Sequence, residues 1–271
     1  MDPLRKDKTP IAFRAQTSNK ELSLDIFDVI GESFFGEGIT VDAVKGAMEE
    51  AGDFSSVIVN VSSPGGDMFQ GVSIRNLLSQ CGKPVNINVV GMCASAASLI
   101  ATSGKVTMAP GTCYMLHEAQ GMSMGDADTM RKMADTLETV TSSAADLYVE
   151  KTGKPKVDVL AHMKAETWLT PEEAVKNGYA DSVGGKKAPV KNSFDLSLFR
   201  NAPAELKNAA IESAGCTCDC ESCMGGDCNK CTHEGCDAEG ENCVDCPMDT
   251  AMSNSASLDL YAKQLAINMR K

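Results

Sequence analysis

From Ser55 to Val90 the chain reads as strand, crossover, strand: SSVIVNV, the turn residues SSPGGD, a helical stretch from Met68 to Gln80, then PVNINVV. The helical stretch carries Phe69, Val72, Ile74, Leu77 and Leu78 at helical spacing. Strands joined by so long a connection cannot form a hairpin, so they pair in parallel with a helix packed across the sheet. The alternation continues on both sides. From Glu21, ELSLDIFDVI places Leu22, Leu24 and Ile26 on one face, and Thr40 caps VDAVKGAMEEAG, with Gly52 as its stop. A small-residue helix over 91–104, two short strands (KVTMAP and TCYML) and a long helical periodicity over 126–152 follow. A shorter helix over 155–165 precedes the capping box Thr170-Pro171-Glu172-Glu173 and a last strand, YADSV. The expected fold class is α/β with a mainly parallel sheet.

Length and charge bound the function. The 271 residues carry 25 Lys and Arg against 37 Asp and Glu, a net charge of −12. An acidic chain lacks the basic face of a nucleic-acid binder, and no apolar run has the roughly 18 residues of a membrane span. The start, MDPLRKDKTP, has no apolar stretch behind its charges. The reading is therefore a soluble, cytoplasmic protein without nucleic-acid or membrane partners. Composition shifts near 200–212: nine of the 12 cysteines fall between Cys216 and Cys246, and residues 212–250 hold ten acids and one base, Lys230. The expected layout is a flexible arm over 1–20, an α/β domain over 21–200, a linker over 201–215, a Cys-rich segment over 216–249 and an amphipathic helix over 250–271.

Open α/β sheets place their sites at strand ends. Three such ends carry chemistry here. Ser63-Pro64-Gly65-Gly66-Asp67 puts two glycines after a strand, where backbone N–H groups approach a ligand closely; the plain alternative is a tight turn. Gly91-Met92-Cys93-Ala94-Ser95-Ala96-Ala97-Ser98 sets Ser95 at a helix start among small residues, with N–H groups that suit an oxyanion. Close packing or simple capping would use the same residues, and the spacing is not that of a G-x-S-x-G elbow. His117 directly follows CYML and is the leading general base among His117, His162 and His233. Ser98, a turn further on, is the weaker nucleophile.

INVVGMCASAASLIATSG, preceded by VNVSSPGGDMFQGVSI and followed by YMLH and AETWLTPEEAVKNGYADSV, resembles the Clp protease proteolytic subunit (ClpP) family over residues 20–190. The similarity extends to the branch used as head-maturation proteases by tailed phages. It implies a ClpP/crotonase-like fold of stacked β–α units with a projecting long helix, assembled into homo-oligomeric rings. It implies Ser95 as nucleophile, His117 as general base, and Gly66 and Ala96 as oxyanion-hole donors. Glu166 stands where the family commonly has Asp, with Asp181 as the next candidate for the third member. No cofactor is implied for catalysis. The expected activity is serine endopeptidase cleavage of capsid, portal or scaffold proteins. The alternatives are a general ClpP-type peptidase working with an ATPase unfoldase, a crotonase-like thioester enzyme, and a non-catalytic assembly module.

The Cys-rich segment lies outside that resemblance. Cys216, Cys218, Cys220, Cys223, Cys228, Cys231, His233, Cys236, Cys243 and Cys246 form repeated C-x₂-C and related spacings. Two thiolates on one tight turn reach a common tetrahedral ion, so these ten ligands suit structural zinc at two sites. Disulfides are the rival, set against by an odd number of cysteines; disorder is the third reading.

Overall fold

A computed structural model describes residues 13–31, 38–184, 196 and 199–203. These lie in a compact unit spanning Met1–Ala209. Eight strands form one sheet, with β1 (Phe13–Ser18), β2 (Glu21–Ile26), β3 (Ser56–Ser63), β4 (Val85–Ala94), β5 (Lys105–Met108) and β8 (Ser182–Val183) side by side in that order. β6 (Cys113–Leu116) pairs with β4, and β7 (Thr167–Leu169) pairs with β6. Among the described residues, only β1–β2 and β6–β7 run antiparallel. The crossover helices are α1 (Val41–Ala51), α2 (Met68–Gln80) and α3 (Ala96–Ala101); α4 (Ala127–Thr152), α5 (Lys156–Lys164) and α6 (Pro171–Lys176) follow.

The β-branched stretches are central for a physical reason. Val57, Val59 and Val61 on β3 and Val85, Ile87 and Val89 on β4 are buried, while Asn60 and Asn88 bond to each other across the other face at 3.1 Å. Leu22, Leu24 and Ile26 extend the same core, which α2 closes with Ile74 and Leu78. Burying such side chains contributes about 1.5–3 kcal/mol each.

The expected caps form. Thr40 Oγ1 accepts from Ala43 N at 3.2 Å, and Gly52 ends α1 with φ 65°. Thr170 and Glu173 make both halves of a capping box, with Pro171 opening α6.

Three expectations change. The arm over 1–20 contains β1, an edge strand joined to β2 by Asn19 and Lys20 with φ of 51° and 62°. Its polar face hid it: only Phe13 is partly buried, so backbone pairing rather than apolar alternation makes the strand. The helix placed over 91–104 begins only at Ala96, because 91–94 continue β4 to pair with β6. The linker over 201–215 starts inside the fold, with Ala202 buried beside Leu196 and Phe199.

Candidate active site

β4 forks, and the fork builds the site. Asn86–Val89 pair with β5, whereas Met92, Cys93 and Ala94 pair with Cys113, Tyr114 and Met115 of β6. Because β4 and β6 run in parallel, the residues that follow them leave the sheet on the same side of its edge. Ser95 follows β4 and His117 follows β6, and His117 Nε2 lies 2.7 Å from Ser95 Oγ.

Ser95 makes the strand-to-helix corner with φ 55° and ψ −124°. That conformation costs a non-glycine residue about 1–3 kcal/mol and persists only where surrounding bonds hold it. Ser95 N–H donates to Met115 O at 3.0 Å, and Ser95 O accepts from Ser98 N at 2.9 Å and Ser98 Oγ at 2.6 Å. With no side-chain cap bond at α3, the Ser95 hydroxyl is left to the imidazole.

The glycine turn packs against this corner. A Cβ on Gly65 (φ 96°) would sit 2.6 Å from Ser95 Cβ and 2.8 Å from Ala96 N, so only glycine lets the turn approach. Gly66 (φ 142°) is bridged to Ile30: Ile30 N donates to Gly65 O and Asp67 N to Ile30 O, both at 2.8 Å. Among the described residues, neither the Gly66 nor the Ala96 N–H is used by these turn and cap bonds.

Glu166 is buried with φ 48°, between α5 and β7. Its Oε1 accepts from Asn201 N at 2.7 Å and Trp168 Nε1 at 3.3 Å, and its Oε2 accepts from Arg200 N at 3.0 Å. Among the described residues, His117 Nδ1 is buried without a hydrogen-bond partner. Burial depresses the His117 pKa; the Glu166 charge opposes that shift and the Arg200 charge adds to it. Asp181 is committed elsewhere, its Oδ2 accepting from Val106 N at 2.7 Å and Lys151 Nζ at 2.5 Å.

Other candidates are occupied. Ser98 Oγ is spent on Ser95 O and Tyr148 OH, and His162 Nδ1 lies 2.8 Å from Tyr179 OH. Burial pushes the Cys113 thiol up to about 12 and Cys93 higher, so neither offers a thiolate near neutral pH. The Cys-rich segment with its ten expected ligands lies outside the described residues. Among the described residues no group of three or more His, Cys, Asp or Glu is arranged for a metal, and no helix is long and apolar enough to cross a membrane.

Sequence reasoning missed the stretch around Phe199. Phe199 meets His117 edge-on at 5.9 Å and Trp168 at 5.6 Å, while the next two backbone amides hold Glu166. The apolar alternation in FDLSLF was the available signal.

Residues 46–187, just over half of the chain, match the Clp protease family model. An ATP-dependent Clp protease proteolytic subunit of Pleurastrum terricola is 27% identical over 138 residues, covering 50% of this chain and 70% of the relative. An ATP-dependent Clp protease proteolytic subunit 1 of Prochlorococcus marinus is 26% identical over 168 residues, 59% and 85% respectively. A ClpP1 variant from Listeria monocytogenes shares the fold with a TM-score of 0.53 at 18% identity, over 61% of this chain and 92% of its own. The chain belongs to the Clp protease family and is a serine peptidase.

Proposed function

We propose that the chain cleaves peptide bonds with Ser95 as nucleophile and His117 as general base. The observation that carries this reading is the 2.7 Å approach of His117 Nε2 to Ser95 Oγ at a strained strand-to-helix corner. Ser95 Oγ attacks the scissile carbonyl while His117 Nε2 takes its proton. The N–H groups of Gly66 and Ala96 receive the oxyanion, and His117 returns the proton to the leaving amine. Water, deprotonated by the same imidazole, then releases the acyl group. For Nε2 to accept a proton, Nδ1 must carry one, and a buried Nδ1–H needs an acceptor. Glu166 is the carboxylate whose charge acts on this ring, and it is the group we assign to accept from Nδ1–H in the working enzyme.

A peptidase of this kind works in the cytoplasm as a homo-oligomeric ring. The relatives named as ATP-dependent proteolytic subunits favour the general reading, in which an ATPase unfoldase delivers protein substrates. The narrower reading, a prohead protease acting on capsid, portal or scaffold proteins, is supported by the quoted sequence motifs. In the Cys-rich segment the ligand spacing supports structural zinc.

A fluorophosphonate probe tests the active site. Full-length protein is expected to be labelled at Ser95, with Ser95→Ala abolishing both labelling and peptide cleavage. Wild-type cleavage by Ser95→Ala would end the proposal, and so would labelling at another serine. Labelling also separates a peptidase from a thioester enzyme that uses the same fold.

A further inference from the structure

Below Ser95 the core holds an unusual concentration of buried hydroxyls. Ser98, Tyr114, Tyr148 and Tyr179 are all fully or almost fully buried, the three tyrosines inside a cluster made mainly of Val, Ile, Leu and Ala. Buried hydroxyls stabilise only when bonded, so the proton inventory is informative. Ser98 Oγ donates its single proton to Ser95 O at 2.6 Å. At the 2.7 Å contact between Ser98 Oγ and Tyr148 OH, the tyrosine must therefore be the donor. Tyr114 OH donates to Ser98 O at 2.8 Å. The direction of the chain is fixed: Tyr148 to Ser98 to the carbonyl of Ser95.

This chain joins three elements. Tyr148 comes from α4, Ser98 from α3, and Tyr114 from β6, three residues before His117. It ends on a residue whose backbone is held away from ordinary φ, Ser95 at φ 55°. Serine back-bonding within a helix normally bends it slightly and brings no gain. Here the bond has a different consequence, because Ser98 Oγ joins the amides of Ser98 (2.9 Å) and Leu99 (3.4 Å) on the Ser95 carbonyl and opposes rotation of the corner toward ordinary φ. A relaxed corner would carry Oγ away from His117 Nε2.

We propose that Tyr148 and Ser98 are positioning residues for Ser95, a hydroxyl strut that runs from the long helix to the corner and holds Oγ in line with the imidazole. The proposal rests on Ser95 being the nucleophile. It assigns catalytic consequence to residues that touch neither substrate nor the reacting atoms. It also makes the seating of α4 a determinant of nucleophile alignment.

The test is the rate of fluorophosphonate labelling at Ser95 in the full chain, followed by mass spectrometry, for Tyr148→Phe, Ser98→Ala and the double variant. Tyr148→Phe removes one oxygen and keeps the ring, and Ser98→Ala removes only the relay hydroxyl. Each single variant is expected to label about three- to tenfold more slowly than wild type, the share of a barrier that one neutral hydrogen bond carries. The double variant is expected to match the slower single one, because both cut one chain. For peptide cleavage kcat should fall with KM unchanged, and the acid limb of the pH profile should keep its wild-type midpoint. A merely structural pair would lower Tm and leave the labelling rate of the folded protein unchanged. Wild-type labelling rates in both single variants overturn the strut and leave Ser95 as nucleophile. Failure of the wild-type chain to label at Ser95 overturns the nucleophile reading, and the strut with it.

Discussion

The backbone N–H of Asn201 donates to Glu166 Oε1 at 2.7 Å, across 35 residues of sequence, from a position beyond the stretch that matches the protease family. The amide of Arg200 takes the other oxygen at 3.0 Å. A carboxylate so placed is fixed in position while retaining lone pairs for a further donor. The segment after the family domain thus holds the acid that acts on His117.

Replacing Glu166 by Gln keeps its volume and removes its charge. The charge raises the His117 pKa against the effect of burial, so its loss is expected to lower that pKa further. The acid limb of the labelling profile should move to lower pH, and kcat at neutral pH should fall by up to about 10⁴, the loss that follows neutralising a triad carboxylate. An unchanged acid limb would separate Glu166 from the imidazole.

His117 must be neutral to act as base. Its pKa in the folded chain lies below the ordinary value of 6.5, with burial as the leading cause. Activity is therefore expected to persist below pH 6.5, with the acid-limb midpoint under that value. Linkage runs the same way: the unfolded chain takes up this proton first, so the His117 contribution to stability is lost as pH falls from 6.5 through the folded pKa. Rates of Ser95 labelling against pH check the first statement, and urea midpoints against pH the second. A midpoint at or above 6.5 contradicts both.

Gly65→Ala would push a methyl carbon to within 2.6 Å of Ser95 Cβ while forcing a φ of 96° on a side-chain-bearing residue. The turn must retreat from α3, taking the Gly66 N–H with it. Loss of one oxyanion donor lowers kcat by about 10²–10³. Peptide cleavage should fall by that order while circular dichroism stays native; full activity would show that the turn does not serve the oxyanion.

Thr170→Ala removes one half of a capping box whose bonds measure 2.9 and 3.3 Å. The expected cost is about 0.5–2 kcal/mol, read as a lower denaturation midpoint. Cleavage by the folded enzyme should be unaffected, because α6 supplies no side chain to the site.

Metal analysis of full-length protein purified under reductant should return about two zinc ions per chain, since ten ligands at four per ion fill two sites. Less than about one zinc per chain would leave disulfides or disorder as the account of the tail.

The fold was legible where the signal was local. Alternation in SSVIVNV and PVNINVV, the caps Thr40 and Thr170 and the stop Gly52 each identify an element through a handful of neighbours. β1 was illegible because an exposed edge strand needs no apolar alternation, only the unpaired backbone of β2. The end of β4 was illegible for a related reason. Gly91-Met92-Cys93-Ala94 has helix-like composition, and pairing with β6 overrides it.

The family resemblance added Glu166, and residue type and order along the chain singled out Ser95 and His117, because reactive side chains after strands are a one-dimensional pattern. Their distances are not. The 2.7 Å between Ser95 and His117 exists because β4 forks to a second partner, a pairing that depends on backbone bonds between stretches some twenty residues apart. The clamp on Glu166 and the strut from Tyr148 likewise use main-chain amides and buried hydroxyls, groups whose roles depend on what folding brings beside them. Hydrophobic periodicity sets which elements form, and directional bonds between distant elements decide where the reacting atoms meet.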